Sequence, residues 1–215
     1  MKKVISIIGI VAVVANSCGQ TNNNQNNTIM VEKDTLNFEL LDKYANKLEI
    51  QDAMGVYFDY DWTFTENDTE TRVFGNKRRG FAMWQTPPKP AFFQIAKQYY
   101  PNGYLQLKGK CMYDGVTKIG EWEYYNENGE LISKVDEDKK FGRFGYNELL
   151  LFLHQQKHIN IETGENRENV RFGYDVEKKQ WGVVITDSSY WITEYTIDGK
   201  TGEVISKNEY QGGKM

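Results

Sequence analysis

Cysteine and histidine are scarce in this chain, with two of each in 215 residues. So few thiols cannot staple a disulfide scaffold, and the set does not make a zinc finger. Proline occurs four times, and Pro87, Pro88 and Pro90 account for three of these. Neither sign of charge dominates: 26 Lys and Arg stand against 30 Asp and Glu, for a net charge of -4. An acidic chain without a dominant basic stretch argues against general nucleic-acid binding. The sequence has no Gly-x-Ser-x-Gly elbow and no Walker loop. Nothing in it assembles a nucleophile, a base and an orienting group, so the expectation is a protein that is not an enzyme, with no cofactor and no bound metal. Glycine and aromatics are plentiful. Nineteen Gly supply turns, and the aromatic content of 14% favours strands. A hydrophobic content of 40% can build the core of one large domain or two small ones.

The first residues read as a targeting segment. Lys2 and Lys3 precede an apolar run from Val4 to Ala15, interrupted only by Ser6 and Gly9. A bilayer-spanning helix needs about 20 apolar residues, so this run is short for one and fits the core of an export signal. Ala15-Asn16-Ser17-Cys18 follows. Small residues before a Cys at this distance resemble the lipobox of bacterial lipoproteins, with polar Asn16 at a place where small or apolar residues are common. The resemblance implies cleavage after residue 17 and lipidation of Cys18. It implies a lipid-anchored protein of the cell envelope, at the outer membrane and facing the periplasm. A short buried apolar segment with an incidental Cys is the alternative. Residues 18–33 read as a polar tether, because Gly19 to Asn27 carries neither a hydrophobic side chain nor a charge.

From Thr35 to Leu48 the spacing of Leu41, Tyr44, Ala45 and Leu48 predicts a helix with Thr35 as its cap. The period then changes to two. Val56, Phe58, Tyr60, Trp62 and Phe64 alternate with polar residues and predict a half-solvated antiparallel strand. Asn67-Asp68 reads as a turn, and strands are expected at Thr71–Phe74 and Gly80–Trp84. Pro87, Pro88 and Pro90 predict a rigid extended connection, or a recognition segment for a proline-binding domain.

Two turns then repeat. Tyr99-Tyr100-Pro101-Asn102-Gly103 leads into one alternating strand, and Tyr124-Tyr125-Asn126-Glu127-Asn128-Gly129 leads into another. Each Asn-Gly pair suits a tight hairpin. With Gly120, Trp122, Tyr124 and Tyr125 before the second turn, the stretch from Phe92 to Val135 resembles the MORN-variant repeat family. That resemblance implies stacked antiparallel hairpins, and some members are antitoxin components, which implies binding rather than catalysis. An ordinary β-meander with two Asn-Gly turns is the alternative. Aromatic residues suit protein interfaces, which makes Tyr100, Trp122, Tyr124 and Tyr125 the candidate recognition residues.

In the last third, the apolar face of Leu149, Leu150, Phe152 and Leu153 predicts a helix from Tyr146 to about Lys157, with Asn147 as N-cap. Strands are expected at 170–176, 181–186, 190–197 and 203–206. Trp181, Val183, Tyr195, Ile197 and the Asp198-Gly199-Lys200-Thr201-Gly202-Glu203-Val204 hairpin resemble a PepSY-type domain. This implies a helix packed across a small antiparallel sheet, in a family that includes peptidase-inhibiting pro-segments.

Four groups carry possible chemistry. His154 and His158 are spaced to share a helix face but lack further zinc ligands. Asp59 and Asp61 share a strand face, where they are either paired carboxylates or a solvated surface. Lys77-Arg78-Arg79 is a basic turn open to phosphate or an acidic partner, or simply solvated. Cys111 is expected to be a small, half-buried apolar residue.

The fold expected is α+β, rich in antiparallel hairpins, with a helix plus hairpin region over 34–140 and a PepSY-like region over 141–215. The function expected is that of a lipid-anchored binding protein that neutralises a toxin or peptidase through protein–protein contacts. The alternative is a structural, envelope-maintenance lipoprotein with no dedicated ligand.

Overall fold

The computed structural model describes residues 34–113, 115 and 117–212. The expected export segment, Cys18 and the expected tether lie outside the described residues. Eight strands follow one another in chain order: β1 (Asn46–Asp52), β2 (Gly55–Glu66), β3 (Thr69–Asn76), β4 (Gly80–Thr86), β5 (Phe93–Tyr99), β6 (Leu105–Met112), β7 (Lys118–Tyr125) and β8 (Leu131–Asp136). Each pairs antiparallel with the next, giving one eight-stranded sheet in meander order. A second meander of β9 (Val170–Asp175), β10 (Gln180–Thr186), β11 (Trp191–Asp198) and β12 (Val204–Gln211) forms a four-stranded sheet. The described α-helices are α1 (Phe38–Tyr44) and α2 (Tyr146–Gln155).

The α+β expectation is therefore corrected: the chain is mostly β. The predicted helix over Thr35–Leu48 is cut to α1. Its cap is Asn37, not Thr35, with the Asn37 carboxamide oxygen accepting from Leu40 N at 3.1 Å. At Ala45 the backbone turns extended, and the following residues join the sheet as β1, with Lys47 opposite Tyr60. A seven-residue helix has little stability of its own, and pairing with the long strand β2 outcompetes further helical turns. Leu48, which the helical spacing assigned to the apolar stripe, is an exposed strand residue.

The second helix does not cover a small sheet of its own. Leu149 and Leu153 of α2 are fully buried in a core shared by both sheets. Phe92, Met112 and Ile119 enter it from the first meander, and Trp181, Val183 and Ile197 from the second. Removing either leucine side chain to Ala in such a core costs about 2–5 kcal/mol. Trp181 also donates from Nε1 to the Phe144 carbonyl at 2.8 Å, tying the approach to α2 onto β10. The α2 cap is Gly145 rather than Asn147, and Gly145 N donates to the Glu148 carboxylate at 3.0 Å.

Along one end of the large sheet the hairpin turns recur at Gly55, Gly80, Gly103 and Gly129, all with positive φ. At Gly80 a Cβ would fall 2.2 Å from the Tyr99 carbonyl oxygen, so glycine there allows adjacent turns to touch. The turns bond to one another. Arg78 reaches back to the Asp52 carboxylate at 3.0 Å and to the Met54 carbonyl at 3.0 Å. Tyr100 Oη donates to the Tyr125 carbonyl and Asn102 Nδ2 to the Glu127 carbonyl, each at 2.9 Å.

Candidate binding groove

Strand β2 is longer than the helix that packs on it. Twelve residues of strand span roughly 40 Å, and seven residues of helix about 10 Å. Helix α1 therefore covers only the middle of the apolar stripe, where Tyr60 is 6% exposed and packs with Leu41. Toward one end Val56 and Phe58 stay exposed. Toward the other, Trp62 and Phe64 are half-buried. There the rings form a ladder: Tyr44 stacks on Trp62 at 5.7 Å between centroids, and Trp62 on Phe64 at 4.2 Å.

This ladder is one wall of a groove of about 600 Å³ between α1 and the sheet. Met83 and Val73 form part of its floor. Asp34 supplies a polar end, accepting from Lys97 Nζ at 2.7 Å and Tyr99 Oη at 3.2 Å. Burial, reinforced by the Asp34 charge, pushes the Tyr99 phenol well above its ordinary range, so it stays a neutral donor. On the covered side of the helix, Asp42 accepts from Tyr60 Oη at 2.9 Å and pairs with Lys47 and Lys77. Those hydrogen bonds, led by that from Lys47, lower the Asp42 carboxyl to about 2.

The candidate recognition residues divide between two settings. Trp122 is 3% exposed, lies flat against Gly109, and donates from Nε1 to the Lys110 carbonyl at 2.8 Å. The Lys118 ammonium sits 4.2 Å above its ring and donates to Tyr124 Oη at 3.1 Å. Tyr100 and Tyr125 are half-buried at the turn end, where Tyr125 Oη donates to Glu123 at 2.6 Å.

The other sequence candidates acquire partners of their own. Asp61 pairs with Arg72 through two bonds of 3.0 and 2.7 Å, while Asp59 accepts from Asn76 at 2.7 Å. Each carboxylate is thus served separately. His158 falls beyond the end of α2, with Nε2 2.9 Å from Tyr195 Oη, whereas His154 Nδ1 lies 3.3 Å from the Ile159 carbonyl. The two imidazoles do not converge, and no group of three or more His, Cys, Asp or Glu able to hold a metal occurs among the described residues. Cys111 is 1% exposed in a small core with Ala96 and Trp122. Within the basic turn, Lys77 bonds to Asp42 and Arg78 to Asp52, so these two charges act inside the fold. The proline segment joins β4 to β5 and is gripped by Arg167, whose Nη1 donates to the Pro87 and Ala91 carbonyls.

The groove itself was missed in the sequence. Its signal was the mismatch between a ten-residue apolar alternation and a short helix. The predicted helix of Thr35–Leu48 concealed that mismatch by making the cover too long.

No family model matches the chain, and no curated protein or solved structure matches it either. No helix among the described residues is long and apolar enough to cross a membrane.

Proposed function

We propose that this chain is a lipid-anchored binding protein of the cell envelope, tethered through Cys18, whose groove beside α1 takes an extended segment of a protein partner. The partner class is a toxin or peptidase that the protein neutralises. The observation that carries the reading is the Tyr44–Trp62–Phe64 ladder left open beside the Asp34–Lys97 pair. Stacked aromatics supply contact area with little side-chain entropy to lose, and the paired charge supplies a polar anchor. The Ala15-Asn16-Ser17-Cys18 lipobox and the likeness to MORN-variant repeats and PepSY-type domains are its sequence support. The test is capture of envelope and secreted proteins by the full chain, run beside a Trp62→Ala, Phe64→Ala variant. A stoichiometric partner retained by the parent and lost by an equally heat-stable variant is the expected result. A partner held equally by both would remove the groove from the reading, and no partner at all would remove the binding role.

The second reading is an envelope-maintenance lipoprotein without a dedicated ligand. The observation favouring it is that Trp122 and Tyr100 serve the sheet's own packing and turn contacts. Impaired envelope integrity on loss of the gene, with unchanged toxin sensitivity, separates the two.

A further inference from the structure

Strand β12 is the outermost strand of the small sheet, and all eight of its residues are exposed. Its pattern of bonds to β11 determines which backbone groups it offers outward. Gly212 N donates to the Tyr190 carbonyl at 2.8 Å, with Trp191 opposite Gln211 and Ile192 opposite Tyr210. In an antiparallel ladder, bonded pairs alternate. Tyr210, Asn208 and Ser206 therefore bond inward to β11, while Gln211, Glu209 and Lys207 direct their N–H and C=O groups away from the sheet.

We propose that this edge pairs antiparallel with β12 of a second copy of the chain, about a two-fold axis at Asn208. The choice of a second copy rests on charge. Outward-facing residues can bond only with one another, so Lys207 must face an odd-numbered residue of the other copy. The register with β11 shifts at Ile205, so the regular edge runs from Ser206 to Gln211; centred on Asn208, residues 206–210 overlap and Lys207 stands opposite Glu209 of the partner subunit, twice by symmetry. Centred on Glu209, an overlap of the same length over residues 207–211 would set two carboxylates face to face, and centring on Lys207 would do the same with two ammonium groups. Opposite charges across a ladder stabilise it and like charges oppose it. The sequence of this edge therefore selects one register with itself.

An edge lysine ordinarily discourages strand addition. Here Lys207 and Glu209 lie on one face 2.7 Å apart, so the edge carries its own counter-charge. Gly129-Glu130-Leu131-Ile132-Ser133-Lys134 into β8 nearly repeats Gly202-Glu203-Val204-Ile205-Ser206-Lys207 into β12. Yet Lys134 is drawn onto Glu121 and Glu123 of β7, each at 2.8 Å. On β1, Lys47 is drawn to Asp42 at 3.1 Å. On β12 Lys207 pairs with Glu209 of the edge strand itself, leaving both available to a symmetric four-charge cluster. Val204, Ile205 and Tyr210, all more than 40% exposed, add apolar surface along the same strand.

The test uses the full chain with Cys18→Ser, purified in mild detergent and weighed by sedimentation equilibrium across concentration. The parent is expected to show a monomer–dimer equilibrium. Lys207→Glu alone and Glu209→Lys alone each place like charges across the axis and weaken the dimer roughly tenfold or more. An equimolar mixture of these two variants restores a mixed dimer, and the double exchange restores the homodimer. Melting temperature and circular dichroism of each variant confirm that the fold is kept. A parent that stays monomeric at every concentration overturns the proposal. So does a dimer indifferent to both reversals, because it would use another surface.

Discussion

Arg167 Nη1 lies 2.7 Å from the Ala91 carbonyl oxygen, a residue 76 positions earlier in the chain. The same nitrogen donates to the Pro87 carbonyl at 3.1 Å. The guanidinium carbon sits 4.5 Å over the Tyr113 ring. Arg167 is 7% exposed, and its Nε has no hydrogen-bond acceptor, although Glu168 Oε1 stands 3.5 Å away. One buried cation thus fastens the β4–β5 connection to the segment that leads into β9.

Arg167→Met is expected to destabilise the protein by about 2–4 kcal/mol, since two carbonyls lose their donor while the apolar volume is kept. Arg167→Lys restores the charge, but its ammonium stands one bond short of the Nη1 position that serves both carbonyls, and it is expected to recover only part of that loss. Urea unfolding of the three proteins measures this. A midpoint unchanged in Arg167→Met would show that water replaces the guanidinium and that the fastening carries no stability.

Gly109 has no room for a side chain. A Cβ there would stand 2.3 Å from the Trp122 ring, whereas at Gly182 nothing lies within 4 Å. Gly109→Ala must displace a buried indole and its bond to the Lys110 carbonyl, at a cost of about 1–3 kcal/mol. Gly182→Ala is expected to leave stability unchanged or slightly raised. Equal melting temperatures for the two variants would mean that Trp122 is not held against β6.

These glycines mark what was legible in the sequence. The period-two run at Val56–Phe64 and the Asn-Gly turns at Gly103 and Gly129 appear where local spacing put them, because strand alternation and positive φ are local properties. The turns at Gly55 and Gly80 lack the Asn-Gly signature and were not read as members of the same row. Asn76 provides the Asx contacts of the second turn from a position before it, accepting from Arg78 N and Arg79 N. The α1 boundary failed for a different reason. Leu48 fits the helical stripe as well as it fits a strand, and only the long-range pairing of β1 with β2 decides between them. Arg167 gave no signal at all, since its partners are backbone carbonyls distant in sequence.

Acid sensitivity is expected from Glu123. Lys134, then Tyr125 and Lys108, donate to its carboxylate and hold it at about 2, below the ordinary 4.5. A depressed carboxyl contributes stability that is present above the unfolded value and lost as pH falls through the folded one. Unfolding free energy should therefore fall between pH 4.5 and pH 2, and Glu123→Gln should flatten that slope. Identical slopes for parent and variant would show that the three donors do not favour the charged form.

The other titration with a clear sign is that of His158. Burial lowers its imidazole below the ordinary 6.5, and the Lys207 charge adds to the effect. The neutral ring keeps its 2.9 Å contact with Tyr195 Oη, a residue only 4% exposed in the core. In the folded state His158 binds a proton less readily than in the unfolded chain. Its stabilising contribution is complete above pH 6.5 and declines as the pH falls below it. Ring proton shifts followed by NMR should give a midpoint below 6.5 for His158, with His154→Gln used to assign the signal. Lys207→Met should move that midpoint upward by removing the repelling ammonium, without altering the burial that causes most of the shift. A midpoint at or above 6.5 in the parent would mean that the ring is solvated and charged, and that the end of α2 does not close over Tyr195 in solution.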